Sequence, residues 1–168
     1  MKKAALFLVI ILGLTLPFAN IAHAKYGNYD MPGDFTKWLE NNLLDRDYWL
    51  DMRNPANYGT SSMELVEAKY IKLWDKELNV IYQKLLLRLN DEEKELLIEA
   101  QVGWLQYHEK EQDFVNIALK KDAGSFFRVQ KANAYRLRLR DRTLELMEYY
   151  HRLGGNVEFE YKGNAGEN

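Results

Sequence analysis

The 168-residue chain contains no cysteine. That absence removes disulfides, thiol nucleophiles and thiolate metal sites together, so the core alone has to hold the fold. It also removes a lipid anchor on an N-terminal cysteine. Histidine is nearly as scarce: His23, His108 and His151 are the three in the chain. Past residue 16 no apolar run approaches the about 20 residues a bilayer-crossing helix needs. Catalytic signatures are missing too, with no G-x-S-x-G elbow, phosphate loop or dinucleotide fingerprint. His108-Glu109 lacks the second histidine of H-E-x-x-H, and His108 with Gln112 one turn on is a poor ligand pair. Neither a zinc site nor any other metal is expected, no cofactor is implied, and no catalytic residue is assigned. There is no internal repeat and no low-complexity tract.

What the chain does have begins with a three-part leader. Lys2 and Lys3 precede an apolar run from Ala4 to Leu16, and Ala22-His23-Ala24 supplies an A-x-A site. This layout reads as a secretory signal peptide over residues 1–24, cleaved after Ala24, and predicts a periplasmic or secreted protein. The run has 13 residues, too few to span. The mature chain would be residues 25–168, a length suited to one domain. It carries 21 basic and 25 acidic residues, a net charge of -4. Nucleic-acid binders carry a basic footprint, so a nucleic-acid partner is not expected.

Residues 25–59 form an N-terminal extension. It opens on turn chemistry through Pro32-Gly33, and Asp34 could cap a short helix from Phe35 to about Leu44. Asn54-Pro55 and Tyr58-Gly59 then predict a loop over 51–60. From Thr60, Ser61 or Ser62 as N-cap, Met63, Val66, Tyr70, Leu73, Leu78, Ile81, Leu85 and Leu89 fall at three- and four-residue intervals. They make one apolar face of a long helix over about 63–89. Asn90 or Asp91 starts the next, with Glu92 and Glu93 at its positive end. Its stripe runs Leu97, Ala100, Trp104, Tyr107, Glu111, Phe114, Ala118, broken only at Glu111. After the connection Asp122-Ala123-Gly124-Ser125, a third helix runs from about Phe126 to Leu153 and stops at Gly154-Gly155. Its face is weaker: Phe127, Ala134, Leu137, Leu144 and Met147, with Arg136, Arg138, Arg140 and Arg142 spread through it. Short connections make successive helices antiparallel neighbours. The expected fold is therefore all-α: an antiparallel bundle of three long helices over 60–153, a short additional N-terminal helix, and a flexible tail over 154–168.

Two segments stand out. Asn79 and Gln101 each place an amide beside an apolar stripe, where it is costly unless hydrogen-bonded. The expected role is internal, each amide bonded to the other or to a helix backbone, not contact with a partner. Trp104, Tyr82 and Tyr107 lie on the stripes and are expected in the core. Arg142 is expected to pair with Asp75 or Asp141. The arginine ladder Arg136, Arg138, Arg140 and Arg142, interleaved with Asp141, Glu145 and Glu148, reads as a mixed-charge surface.

These segments resemble the LprI-like lysozyme-inhibitor family of bacterial exported proteins. The family pattern has a helix with A-D-x-x-L-N-x-x-Y-x-x-L, then L-x-x-A-Q-x-x-W-x-x-[YF], then T-x-x-R-x-x-x-L. Asp75, Leu78, Asn79, Tyr82 and Leu85 match the first part. Leu97, Ala100, Gln101, Trp104 and Tyr107 match the second, and Arg142 and Leu146 the third. Met63 and Gly124-Ser125 also fall where the family tends to place such residues. The resemblance covers about residues 60–150. Val66, Gln112 and Ala134 stand where many members carry cysteine, Val102-Gly103 replace an arginine and an alanine, and His108 replaces an arginine.

The resemblance implies a protein partner, a lysozyme, inhibited by occlusion of its substrate cleft. The connection around Asp122, Gly124 and Ser125 is the candidate contact, because loops tend to carry function. The alternative is a non-inhibitory envelope accessory module docking through Tyr26, Tyr29, Phe35, Trp38, Tyr48 and Trp49 of the extension. An enzyme acting on the cell wall would need a carboxylate or histidine cleft, and the pattern builds none.

Overall fold

A computed structural model describes residues 42–118 and 124–164. Among them are four α-helices and no strand: α1 (Leu43–Arg53), α2 (Thr60–Leu86), α3 (Asp91–Ala118) and α4 (Phe127–Arg152). The all-α bundle with three long helices is as expected. The leader and residues 35–41 of the expected short helix lie outside the described residues.

The chain enters at Asn42, whose Oδ1 accepts from the backbone N–H of Leu44 (2.9 Å) and Asp45 (3.3 Å). That N-cap starts α1, which continues to Arg53 through residues expected to be loop. Pro55–Asn57 form one 3-10 turn, with Asn54 Oδ1 accepting from the Ala56 N–H. α2 starts at Thr60 on Gly59, without the hydroxyl cap its Thr-Ser-Ser predicts. Between α2 and α3, Asn90 and Glu93 form a reciprocal capping box: each side chain accepts from the other's backbone N–H at 2.9 Å. At its far end α4 closes in a Schellman motif. Gly155 N–H reaches the Tyr150 carbonyl and Gly154 N–H the His151 carbonyl, with Gly154 at φ +76°.

The dominant packing is α2 against α4, with α1 laid on α2. The core is Leu44 and Tyr48 from α1, Val66, Tyr70, Trp74, Leu78, Ile81 and Leu85 from α2, and Leu139, Leu144, Leu146 and Met147 from α4. Helix α3 touches this core with half-buried Leu97 and Trp104, and its two buried residues are His108 and Val115. Of its expected stripe, Tyr107 and Phe114 point to solvent. The bundle is therefore lopsided: two helices are clasped and the third lies along their flank.

The tail corrects a second expectation. Residues 155–164 were expected to be loose, yet they return across α2, and Tyr161 is buried in the core. Phe159 meets the Trp74 ring edge-on, with centroids 6.0 Å apart. No described helix is long and apolar enough to cross a membrane.

Candidate functional site

Two carboxylates sit on α2 in register with its apolar stripe, Met63, Glu67, Tyr70, Trp74, Glu77, Ile81. Both are buried, and each has become a joint. At the first, Arg136 Nε donates to Glu67 Oε2 at 3.0 Å. The Tyr48 hydroxyl (2.6 Å) and Asn133 Nδ2 (3.1 Å) both donate to Glu67 Oε1. The Arg136 guanidinium lies over the Tyr48 ring, 3.7 Å from its centroid. α1, α2 and α4 meet at this one carboxylate. Burial, reinforced by the bond to Glu67, pushes the Tyr48 hydroxyl up to about 12.

At the second joint, Glu77 accepts the backbone N–H groups of Tyr161 (2.7 Å) and Glu160 (3.1 Å). Burial holds its carboxyl above the usual range, although these two donors oppose the shift. Asp47 secures the same strap from α1, taking the Tyr161 hydroxyl (2.9 Å) and the Asn164 N–H (3.1 Å). Burial would raise the Asp47 carboxyl, but the Arg46, Asn164 and Tyr161 donors outweigh it and the net shift is downward. Nearby, Arg140 grips Asp45 with Nε (2.8 Å) and Nη2 (2.6 Å), joining α4 to α1.

The α3–α4 contact is built differently. Arg142 Nε donates to Gln101 Oε1 at 3.0 Å, and its Nη1 to Glu145 at 2.8 Å. Two turns further along α3, His108 stacks on Trp104 at 4.9 Å and meets the edge of Tyr135 at 4.2 Å. Arg138 Nη2 donates to Gln112 at 2.7 Å, and its Nε reaches His108 Nδ1 at 3.4 Å. A guanidinium facing Nδ1 fixes the proton of the neutral ring on Nε2, which is buried without a partner. Burial, then the charge of Arg138, holds His108 below its ordinary pKa. Among the described residues no group of three or more histidines and acids could hold a metal ion.

The sequence-predicted residues separate on this frame. Gln101 and Arg142 are brought together, and Trp104 lies next to them on α3. Leu78 is buried in the core, and Tyr82 is half-buried against it. Asn79 is not in the core: it is exposed, and its amide donates to the Asp75 carbonyl one turn back in its own helix (2.8 Å). Asp75 and Tyr107 are exposed as well. Arg142 pairs with Glu145 and Gln101, not with Asp75 or Asp141. The arginines read as a mixed surface point inward: Arg136 and Arg142 are buried and Arg138 and Arg140 half-buried, each on a named partner. Of the proposed contact loop, Gly124 and Ser125 are exposed at the approach to α4, and Asp122 lies outside the described residues. Of the aromatics proposed for docking, Tyr48 is core, Trp49 is half-exposed beneath Arg53, and the rest lie outside the described residues.

Sequence reasoning missed Glu67, Arg136, Glu77, Asp47 and Tyr161. Their signal is a charge in register with a stripe. Glu67 and Glu77 continue the spacing of Tyr70, Trp74 and Ile81, a position where a charge is rare unless partnered.

The architecture defines a class: a cysteine-free helical domain clasped by buried polar joints, with one helix left largely open to solvent. Its sequence places it more closely. The family model described as "Lysozyme inhibitor LprI" matches residues 52–146, more than half of the chain, and the chain belongs to that family. No curated protein and no solved structure matches it. The matched span runs from the end of α1 to Leu146 in α4, and so includes the Glu67–Arg136 and Gln101–Arg142 joints.

Proposed function

We propose that the chain is an exported lysozyme inhibitor: a helical domain that binds a lysozyme in the bacterial envelope and blocks its substrate cleft. The observation that carries this reading is the family match over residues 52–146. The leader read over residues 1–24 supports export to the compartment where a lysozyme would be met. Occlusion needs a rigid body, and the fastening of α1, α2, α4 and the tail supplies one. The exposed Gly124 and Ser125 are proposed contact positions.

The test is the rate at which a lysozyme clears a suspension of bacterial cell walls, followed by turbidity as the purified protein is added. The reading expects clearing to slow with added protein and to stop near molar equivalence. Unchanged clearing at high molar excess, across lysozymes of different types, would refute it.

A further inference from the structure

The helix least used by the core is also the most acidic. α3 holds eight acidic residues and two lysines, a net charge of -6. The other described residues, 42–90 and 124–164, hold 15 basic and 12 acidic residues, a net of +3. The acids of α3 are not there to neutralise that excess: among the described residues Glu95, Glu99, Glu109 and Asp113 have no ion-pair partner, and all four are exposed.

Acidic side chains alone define no site. The second observation is apolar. Ile98, Val102 and Leu105 recur at the four- and three-residue steps that align side chains along one helix face. Each is close to half exposed, at 45, 47 and 45%. Glu109 continues their line, and Glu95, Glu99 and Asp113 flank it at helical spacing. This face lies about a quarter turn around the helix from Leu97, Gln101, Trp104 and His108, the residues that seat α3 on the bundle. An apolar line edged along its solvent side by Glu95, Glu99 and Asp113 has the composition of a recognition surface: the centre loses water and the acidic edge sets orientation and on-rate.

We propose that this outer face of α3 is the docking surface for a cationic protein. The proposal rests on reading the chain as a protein-binding inhibitor and adds where, and to what kind of surface, it binds. Charge complementarity selects the occupant. A second copy of the chain would set one -6 helix against another, and an anionic lipid surface would be repelled in the same way. A basic protein surface carrying an apolar patch satisfies both the rim and the line.

The test is calorimetric titration of the full purified chain with egg-white lysozyme, a strongly basic protein, as the probe. The wild type should bind, and the affinity should fall as ionic strength rises from about 0.05 M to about 0.5 M. The combined variant Glu95→Lys, Glu99→Lys, Glu109→Lys should bind at least tenfold more weakly and lose most of the salt dependence. Ile98→Ser with Val102→Ser should also bind at least tenfold more weakly but keep the salt dependence. All five positions are exposed, so circular dichroism should show each variant folded. Glu158→Lys, a reversal at an exposed position of the packed tail, should leave affinity within about twofold. If the wild type inhibits lysis and the triple reversal binds and inhibits equally well, the α3 surface is wrong and the inhibitor reading stands. If the wild type neither binds nor inhibits, both fall. A dimer in sedimentation that Val102→Ser dissolves would overturn the choice of occupant.

Discussion

Replacing Arg136 with methionine should cost the fold about 3–5 kcal/mol, the range for breaking a buried ion pair from one side. The two side chains are 3% and 0% exposed, so water cannot take over the role of the lost partner. Methionine keeps much of the aliphatic stem but removes the donor to Glu67 Oε2. Tyr48 and Asn133 still donate to Oε1, which places the loss toward the lower end of that range. Against a total stability of about 5–15 kcal/mol, such a loss brings a domain of this size near its unfolding threshold. In urea, with a slope of about 2 kcal/mol/M, the midpoint should fall by about 1.5–2 M at unchanged slope. Adding Glu67→Leu should recover most of this, because both charges then leave together. The Tyr48 hydroxyl would be left without its acceptor, at a cost of about 1–3 kcal/mol, and Tyr48→Phe in the same background should remove that too. The reasoning is refuted if Arg136→Met stays within about 1 kcal/mol of wild type, or if the double variant is no more stable than the single.

Ending the chain at Gly154 should expose part of Trp74 and leave the Glu77 and Asp47 carboxylates without their strap donors. At about 1–3 kcal/mol for each buried group left unsatisfied, denaturant melts should show a clear drop in midpoint. Stability should fall on mild acidification because of His108. Its folded pKa lies below the ordinary 6.5, so the unfolded chain binds the proton first. Its contribution is complete above about pH 6.5 and is lost as pH falls through the window down to the folded value. His108→Gln should flatten the pH dependence of the melting midpoint between about pH 7 and about pH 5. Gln101→Ala removes an acceptor of the buried Arg142 and should cost about 1–2 kcal/mol. It should also speed amide exchange in α3 more than in α2.

The long helices were legible from apolar residues recurring at three and four positions, most clearly in α2. The buried faces of α3 and α4 were not: Tyr107, Phe114 and Leu137 of the expected stripes are exposed, and Val129, Arg136 and Leu139 of α4 are buried instead. The α2–α3 turn was legible because Asn90 and Glu93 are capping residues at the right spacing. Helix α1 was not: Asp45, Arg46, Asp47 and Asp51 interrupt any apolar stripe. The structure explains them by partners far along the chain, Arg140 for Asp45, Tyr161 for Asp47 and Tyr70 for Asp51. The tail misled for the same reason. Its glycines and asparagines are turn chemistry, and nothing local shows that its N–H groups meet Glu77 on α2. The arginines of α4 recur at every second residue, which spreads charge around a helix and reads as solvated. Their burial is decided by carboxylates and amides on α1, α2 and α3. Gln101 and Arg142 were visible as motif positions but not as partners of each other. Asn79 looked like the twin of Gln101, yet it faces solvent and bonds only to its own helix.

α1, α2, α4 and the tail form the fastened body, and α3 is the proposed working face. Hydrogen exchange of the protein, alone and with a saturating lysozyme that it inhibits, measures that division directly. Slowed exchange concentrated in peptides spanning residues 91–118 and the Gly124–Ser125 approach to α4, with little change across α1, α2 and the tail, is the predicted result. Slowing confined to α1 or the tail, with α3 unchanged, would contradict it.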